Sequence, residues 1–99
     1  MNLTTRKPNS QNVTTFQELK FQHHTLVGKK QCIVQFPNGY GASIVQGEHT
    51  YGGSKGLYEL AVLGKDGEIT YDTPITNDVL GYLSEAEVEK TLLEIKNLD

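Results

Sequence analysis

Residues 31–46 read Gln31-Cys32-Ile33-Val34-Gln35-Phe36-Pro37-Asn38-Gly39-Tyr40-Gly41-Ala42-Ser43-Ile44-Val45-Gln46. Two short β-branched runs, 31–36 and 42–46, flank an Asn-Gly pair. That arrangement is a strong hairpin signal, because a type I′ turn needs positive φ at both central residues. With Asn38 and Gly39 as the turn, Ile33 lies opposite Ile44 and Cys32 opposite Val45.

A second hairpin is expected downstream. The run 57–63 (LYELAVL) and the run 68–72 (EITYD) flank Gly64-Lys65-Asp66-Gly67. A type I turn with Gly67 left-handed, starting a G1 bulge, fits that spacing. Upstream, 16–22 (FQELKFQ) offers Leu19 and Phe21 as one face of a first strand, after which Val27-Gly28 closes the segment. Pro74 ends the last strand, since it cannot donate to a ladder. Thr76 or Asn77 is expected to cap one helical turn through Leu80, stopped by Gly81.

The C-terminus carries the clearest helix signature. Ser84 followed by Glu87 is a capping box, with Leu83 and Val88 as the hydrophobic staple around it. Val88, Leu92, Ile95 and Leu98 share one face, with Thr91 between them and Leu93 off the stripe. The spacing predicts a helix from residue 84 or 85 to about 97. The fold class expected is α+β: an antiparallel sheet of four to five strands, built from two hairpins, packed with one C-terminal helix.

Ninety-nine residues make one domain, with 36% hydrophobic residues and ten glycines. The polar stretch 1–13 is expected to be a loose arm and 14–99 the folded unit. One cysteine, Cys32, rules out a disulfide scaffold, and its place among apolar residues marks it as structural. The first residues lack the apolar region of a signal peptide, and no apolar run is long enough for a bilayer, so a cytosolic setting without membrane contact is expected. A net charge of −3 argues against nucleic acid as the partner.

Candidate chemistry is sparse. His23 and His24 are adjacent in an extended segment and point to opposite faces, so no metal site is expected from them, and no cofactor is expected. Neither HExxH nor CxxC occurs, and no pair of carboxylates is spaced for acid–base work, so the chain is read as a non-enzyme. The loop Tyr51-Gly52-Gly53-Ser54-Lys55-Gly56 is the strongest binding candidate: glycine-rich turns can cradle an anion, and Lys55 adds charge. Tyr40, Tyr51 and His49 join it as a contact surface, because tyrosine beside glycine makes adaptable recognition loops.

The apolar pattern adds one more expectation. Cys32, Val34 and Phe36 point one way while Ile33 and Ile44 point the other, and one helix cannot cover both faces. Ile33 and Ile44 are therefore candidates for an interface, in a homodimer or with a host or phage protein.

The segments FPNGYGASIVQG (36–47), YGGSKGLYELAVLGKDGEITYDTPIT (51–76) and NDVLGYL (77–83) resemble small proteins encoded by tailed phages and prophages, a group with no assigned activity. The resemblance implies a phage product acting in the bacterial host cytoplasm by binding and modulating a host system. It carries over no functional residue. Two other functions are weighed beside protein binding: a small-molecule or nucleotide binder using the 51–56 loop, and a small hydrolase or nuclease using His24 or His49.

Overall fold

The computed structural model describes residues 15–24, 28–76 and 78–99. The expected arm at 1–13, the closing role of Val27 and the cap at Asn77 lie outside the described residues. Among those described, five strands form one antiparallel sheet: β1 (Gln22–His24), β2 (Lys29–Gln35), β3 (Gly41–Gly47), β4 (Tyr58–Leu63) and β5 (Leu80–Leu83). They lie side by side in chain order, each beside its sequence neighbour, and helix α1 (Glu85–Lys96) covers one face. The fold is α+β, as the sequence implies.

The first hairpin forms where expected, with a different turn. The amide of Gly39 donates to the carbonyl of Phe36 (2.9 Å) and that of Phe36 to the carbonyl of Tyr40 (2.8 Å). Gly39 is left-handed at φ 92°, while Asn38 is not. This is a type I turn over Phe36–Gly39 with Gly39 opening a G1 bulge. The cause is Pro37: its fixed φ suits the second position of a type I turn. The three-residue loop shifts the register by one residue, so Cys32 faces Ile44, Ile33 faces Ser43 and Val34 faces Ala42.

That shift removes the supposed conflict between two apolar faces. Ile44 joins Cys32, Val34 and Phe36 under the helix, with 0% of its surface exposed. Ile44 is therefore a core residue and not an interface candidate. Ile33 alone of the pair stands on the open face, partly buried. The reason for expecting a dimer through this hairpin disappears with the register.

The second turn forms as expected. Gly67 is left-handed at φ 83°, its amide donates to Gly64 (2.9 Å), and the Gly64 amide donates to Glu68 (2.8 Å). The following arm does not become a strand. It holds to β4 through an isolated bridge, Leu63 to Ile69, and the Thr70 amide on the Val62 carbonyl (2.9 Å). The chain then leaves and returns as β5, which takes the rest of the β4 edge. Residues 80–83 are strand rather than the end of a helical turn.

The expected first strand also differs. Phe16–Glu18 form a 3₁₀ turn and the strand begins at Gln22. Pairing of 22–24 with Lys29, Lys30 and Gln31 decides where β1 lies. The Phe16 amide donates to the Glu89 carboxylate on α1 (2.7 Å), and Leu19 enters the core. Phe16, Phe21 and Tyr58 cluster, with ring centroids 5.1–5.9 Å apart. Burying such rings contributes on the order of 2 kcal/mol each.

Helix α1 follows its sequence pattern closely. The Ser84 hydroxyl accepts from the Glu87 amide (3.1 Å), and Glu87 Oε1 accepts from the Ser84 amide (2.9 Å). Val88, Thr91, Leu92 and Ile95 are buried, and Leu93 is exposed. The Thr91 hydroxyl satisfies itself on the Glu87 carbonyl (2.8 Å).

Candidate functional site

The β4–β5 ladder is irregular at one point. Tyr58 pairs with Leu83 and Leu60 with Leu80, so Gly81 and Tyr82 together oppose the single residue Glu59. Two residues against one is a β-bulge, which bends a strand and re-aims a side chain. Tyr82 is left-handed at φ 58°, and no other non-glycine residue among those described has positive φ. For a bulky residue this conformation costs about 1–2 kcal/mol.

The β3–β4 connection is tied to this bulge. The Tyr82 amide donates to the Tyr51 carbonyl (3.1 Å), and the Tyr51 amide donates to Glu59 Oε1 (2.9 Å). Two glycines make the approach feasible. A Cβ at Gly81 would lie 2.6 Å from Tyr51 Cβ, and one at Gly52 would lie 2.8 Å from Tyr82 Cα. Each tyrosine thus sits over the glycine that neighbours the other. Both stay open to solvent, Tyr51 59% and Tyr82 57% exposed. Neither hydroxyl has a hydrogen-bond partner among the described residues. The arrangement is a pair of side chains with an apolar body and a free polar tip, held by backbone rather than by loose loop.

The glycine-rich loop does not present an anion cradle. The Gly53 amide donates to Thr50 (3.0 Å), Lys55 to Gly52 (3.0 Å), Gly56 to Gly53 (3.0 Å) and Leu57 to Gly52 (2.9 Å). With Tyr51 on Glu59, most of the loop's amides are consumed internally. The Glu59 carboxylate at its base would also repel an anion. Ser54 and Lys55 are exposed, and so is His49 at the neighbouring turn.

The structure splits the sequence-derived contact set. Tyr40 precedes β3 and Tyr51 follows it, so seven strand residues, about 23 Å of extended chain, separate them. Tyr40 packs partly into the core edge, with Lys65 Nζ 5.4 Å from its ring centre. Ile33 lines a separate notch of about 170 Å³ with Gly41 and Leu63 on the open face. Tyr82 went unread in the sequence; its signal was the alternating run Leu80-Gly81-Tyr82-Leu83, where Gly81 reads equally well as a helix stop.

Cys32 is 1% exposed, and burial pushes its thiol up to about 11, against a hydrogen bond from the Lys20 backbone that pulls it down. It is an inert core thiol. Among the described residues no three His, Cys, Asp or Glu side chains group as metal ligands. No helix among them is long and apolar enough to cross a membrane. Comparison of the chain with protein-family models, with curated proteins and with solved structures returns no match.

Proposed function

We propose that this chain acts by binding another protein, and that Tyr51 and Tyr82 are the centre of the contact surface. The observation that carries the reading is Tyr82: a bulky residue kept in a strained left-handed bulge, with its ring half in solvent beside a second exposed tyrosine. Backbone strain persists where the surroundings over-determine it, and such positions cluster at functional sites. Tyrosine supplies large contact area at low entropic cost, which suits it to interface centres. Ser54, Lys55 and His49 are the polar rim in this reading. The resemblance of 36–83 to phage-encoded proteins makes a host protein in the bacterial cytoplasm the expected partner, with the chain modulating that system rather than catalysing a reaction.

Tyr82→Gly separates this function from a structural role. Glycine adopts φ 58° without strain, so the variant should be as stable as the parent or more stable by up to about 1 kcal/mol. Affinity capture from host lysate, run in parallel with parent, Tyr82→Gly and Tyr51→Ala chains, reads the function. A partner retained by the parent and lost by both folded variants supports the reading. A partner held equally by all three would refute it, as would a Tyr82→Gly chain that unfolds.

A further inference from the structure

Helix α1 covers one face of the sheet, and alternate residues of each strand point to the opposite face. The row Ile33, Ser43 and Ala61 crosses the middle of that open face, with Val45 and Leu63 to either side along the strands. Ile33, Val45 and Leu63 are half-buried by their neighbours alone. Ile69, bridged to Leu63, extends the patch and is 49% exposed. Apart from Lys29 on β2 and Glu59 on β4, the three central strands present no charged residue there, in a chain of which 21% is charged. Depletion of charge marks the centre of protein interfaces.

The two charges make the face complementary to itself. Lys29 is in register with Gly47 on one side of β3, and Glu59 with Val45 on the other. Two positions along β3 separate them, about 7 Å. A two-fold axis parallel to β3 exchanges the β2 side with the β4 side, so Lys29 of each copy meets Glu59 of the partner subunit. The same axis sets Ile33 over Ala61 of the partner subunit, a large side chain on a small one. Ser43, near the axis, already accepts from Gln31 Nε2 (2.9 Å), so covering its hydroxyl does not orphan it. The sheet is five strands wide, with its longest strands seven residues long. That gives a face of about 24 Å by 23 Å, or roughly 1,100 Å² for two copies together, just above the smallest specific interfaces.

We propose that the open face binds a second copy of this chain, sheet on sheet, in a weak two-fold dimer. Sheets stacked in this way lie about 10 Å apart with their strands within about 30° of each other. Ile44, buried under the helix, takes no part in it. The proposal does not rest on the tyrosine pair, and the two contact surfaces are tested by different variants.

Sedimentation equilibrium of the full chain at about 5 to 500 µM tests it, a range chosen because an interface near the lower size limit binds weakly. The chain should be monomeric at the dilute end and dimeric at the concentrated end, with a dissociation constant of about 50 µM. Lys29→Glu, at an exposed position, sets carboxylate against Glu59 of the partner subunit and should weaken the dimer about tenfold. Ser43→Arg puts a charge at the centre of the face and should leave a monomer throughout, with a cooperative thermal melt to show that it folds. Should Ser43→Arg fail to fold, Lys29→Glu decides alone. Tyr82→Gly should leave the dimer unchanged. A parent chain still monomeric at the concentrated end would overturn the proposal and leave this face to a different protein. So would a dimer as tight in Lys29→Glu or in folded Ser43→Arg as in the parent, or one lost in Tyr82→Gly.

Discussion

The side-chain amide of Asn38, in the first hairpin turn, donates to the backbone carbonyl of Ile95 in the last turn of α1 at 2.9 Å. The same nitrogen lies 3.1 Å from the Lys96 carbonyl and 3.0 Å from that of Leu98. The last carbonyls of a helix have no partners within it, and here a turn 57 residues away in sequence supplies the donor. Asn38 Oδ1 meanwhile accepts from the Tyr40 amide (3.0 Å), which fixes the carboxamide's orientation.

Asn38→Ala should therefore cost about 1–2 kcal/mol, the net worth of a shared donor serving part-buried carbonyls. Asn38→Asp should cost more, because it removes the donor and sets a carboxylate against the negative end of the helix. Urea denaturation of the three chains checks both. Equal midpoints for parent and Asn38→Ala would show that solvent serves those carbonyls as well.

The N-terminal cap of α1 should make stability depend on acid. Hydrogen bonds from the Ser84 backbone and then its hydroxyl hold the Glu87 carboxyl below its ordinary value of 4.5. A depressed carboxyl contributes stability that is present above its unfolded value and lost as pH falls through the folded one. The loss should set in below about pH 4.5. Ser84→Ala should cost about 1 kcal/mol at neutral pH by removing the acceptor for the Glu87 amide, and it should flatten the acid limb. Thermal melts from pH 3 to pH 7 read both effects.

Cys32 predicts the opposite limb. Its thiol is raised in the folded state to about 11 from 9.0, so the stability it contributes is complete below pH 9 and declines as pH rises toward 11. Melting temperature should fall more steeply over that window in the parent than in Cys32→Ala. A thiol reagent at neutral pH should label Cys32 only as fast as the chain unfolds; immediate labelling of the native protein would contradict its burial.

The two isoleucines of the first hairpin should behave differently. Ile44→Ala removes a fully buried side chain and should cost about 2–4 kcal/mol. Ile33→Ala, on the open face, should cost about 1 kcal/mol or less. Denaturant midpoints with unchanged slopes give the comparison. Similar costs at both positions would contradict the register that pairs Ile44 with Cys32 and Ile33 with Ser43.

How much of this was legible in the sequence divides by the range of the interactions. Helix α1 was readable to the residue at its start because Ser84, Glu87 and the stripe at Val88, Leu92 and Ile95 act within a few turns of one another. The type I turn at Gly64–Gly67 and the buried Cys32 were equally local. The first hairpin was half legible: Asn38-Gly39 announced a turn, but Pro37 decided its type. The extra loop residue moved Ile44 from a supposed contact face into the core. A strand's side chains alternate, so a one-residue shift exchanges its faces.

Tertiary structure alone decided the rest. Residues 68–72 carry a strand's pattern, yet most of the β4 edge went to Leu80–Leu83, because competition between two segments for one ladder is settled by packing. Asn38 reached the helix end, Glu59 reached Tyr51, and Gly52 and Gly81 received each other's tyrosines. The local sequence determined the elements and their caps; the long-range contacts placed Tyr82 in its strained bulge beside Tyr51. No periodicity encodes such a meeting, since it depends on the order and register in which complete strands lie side by side.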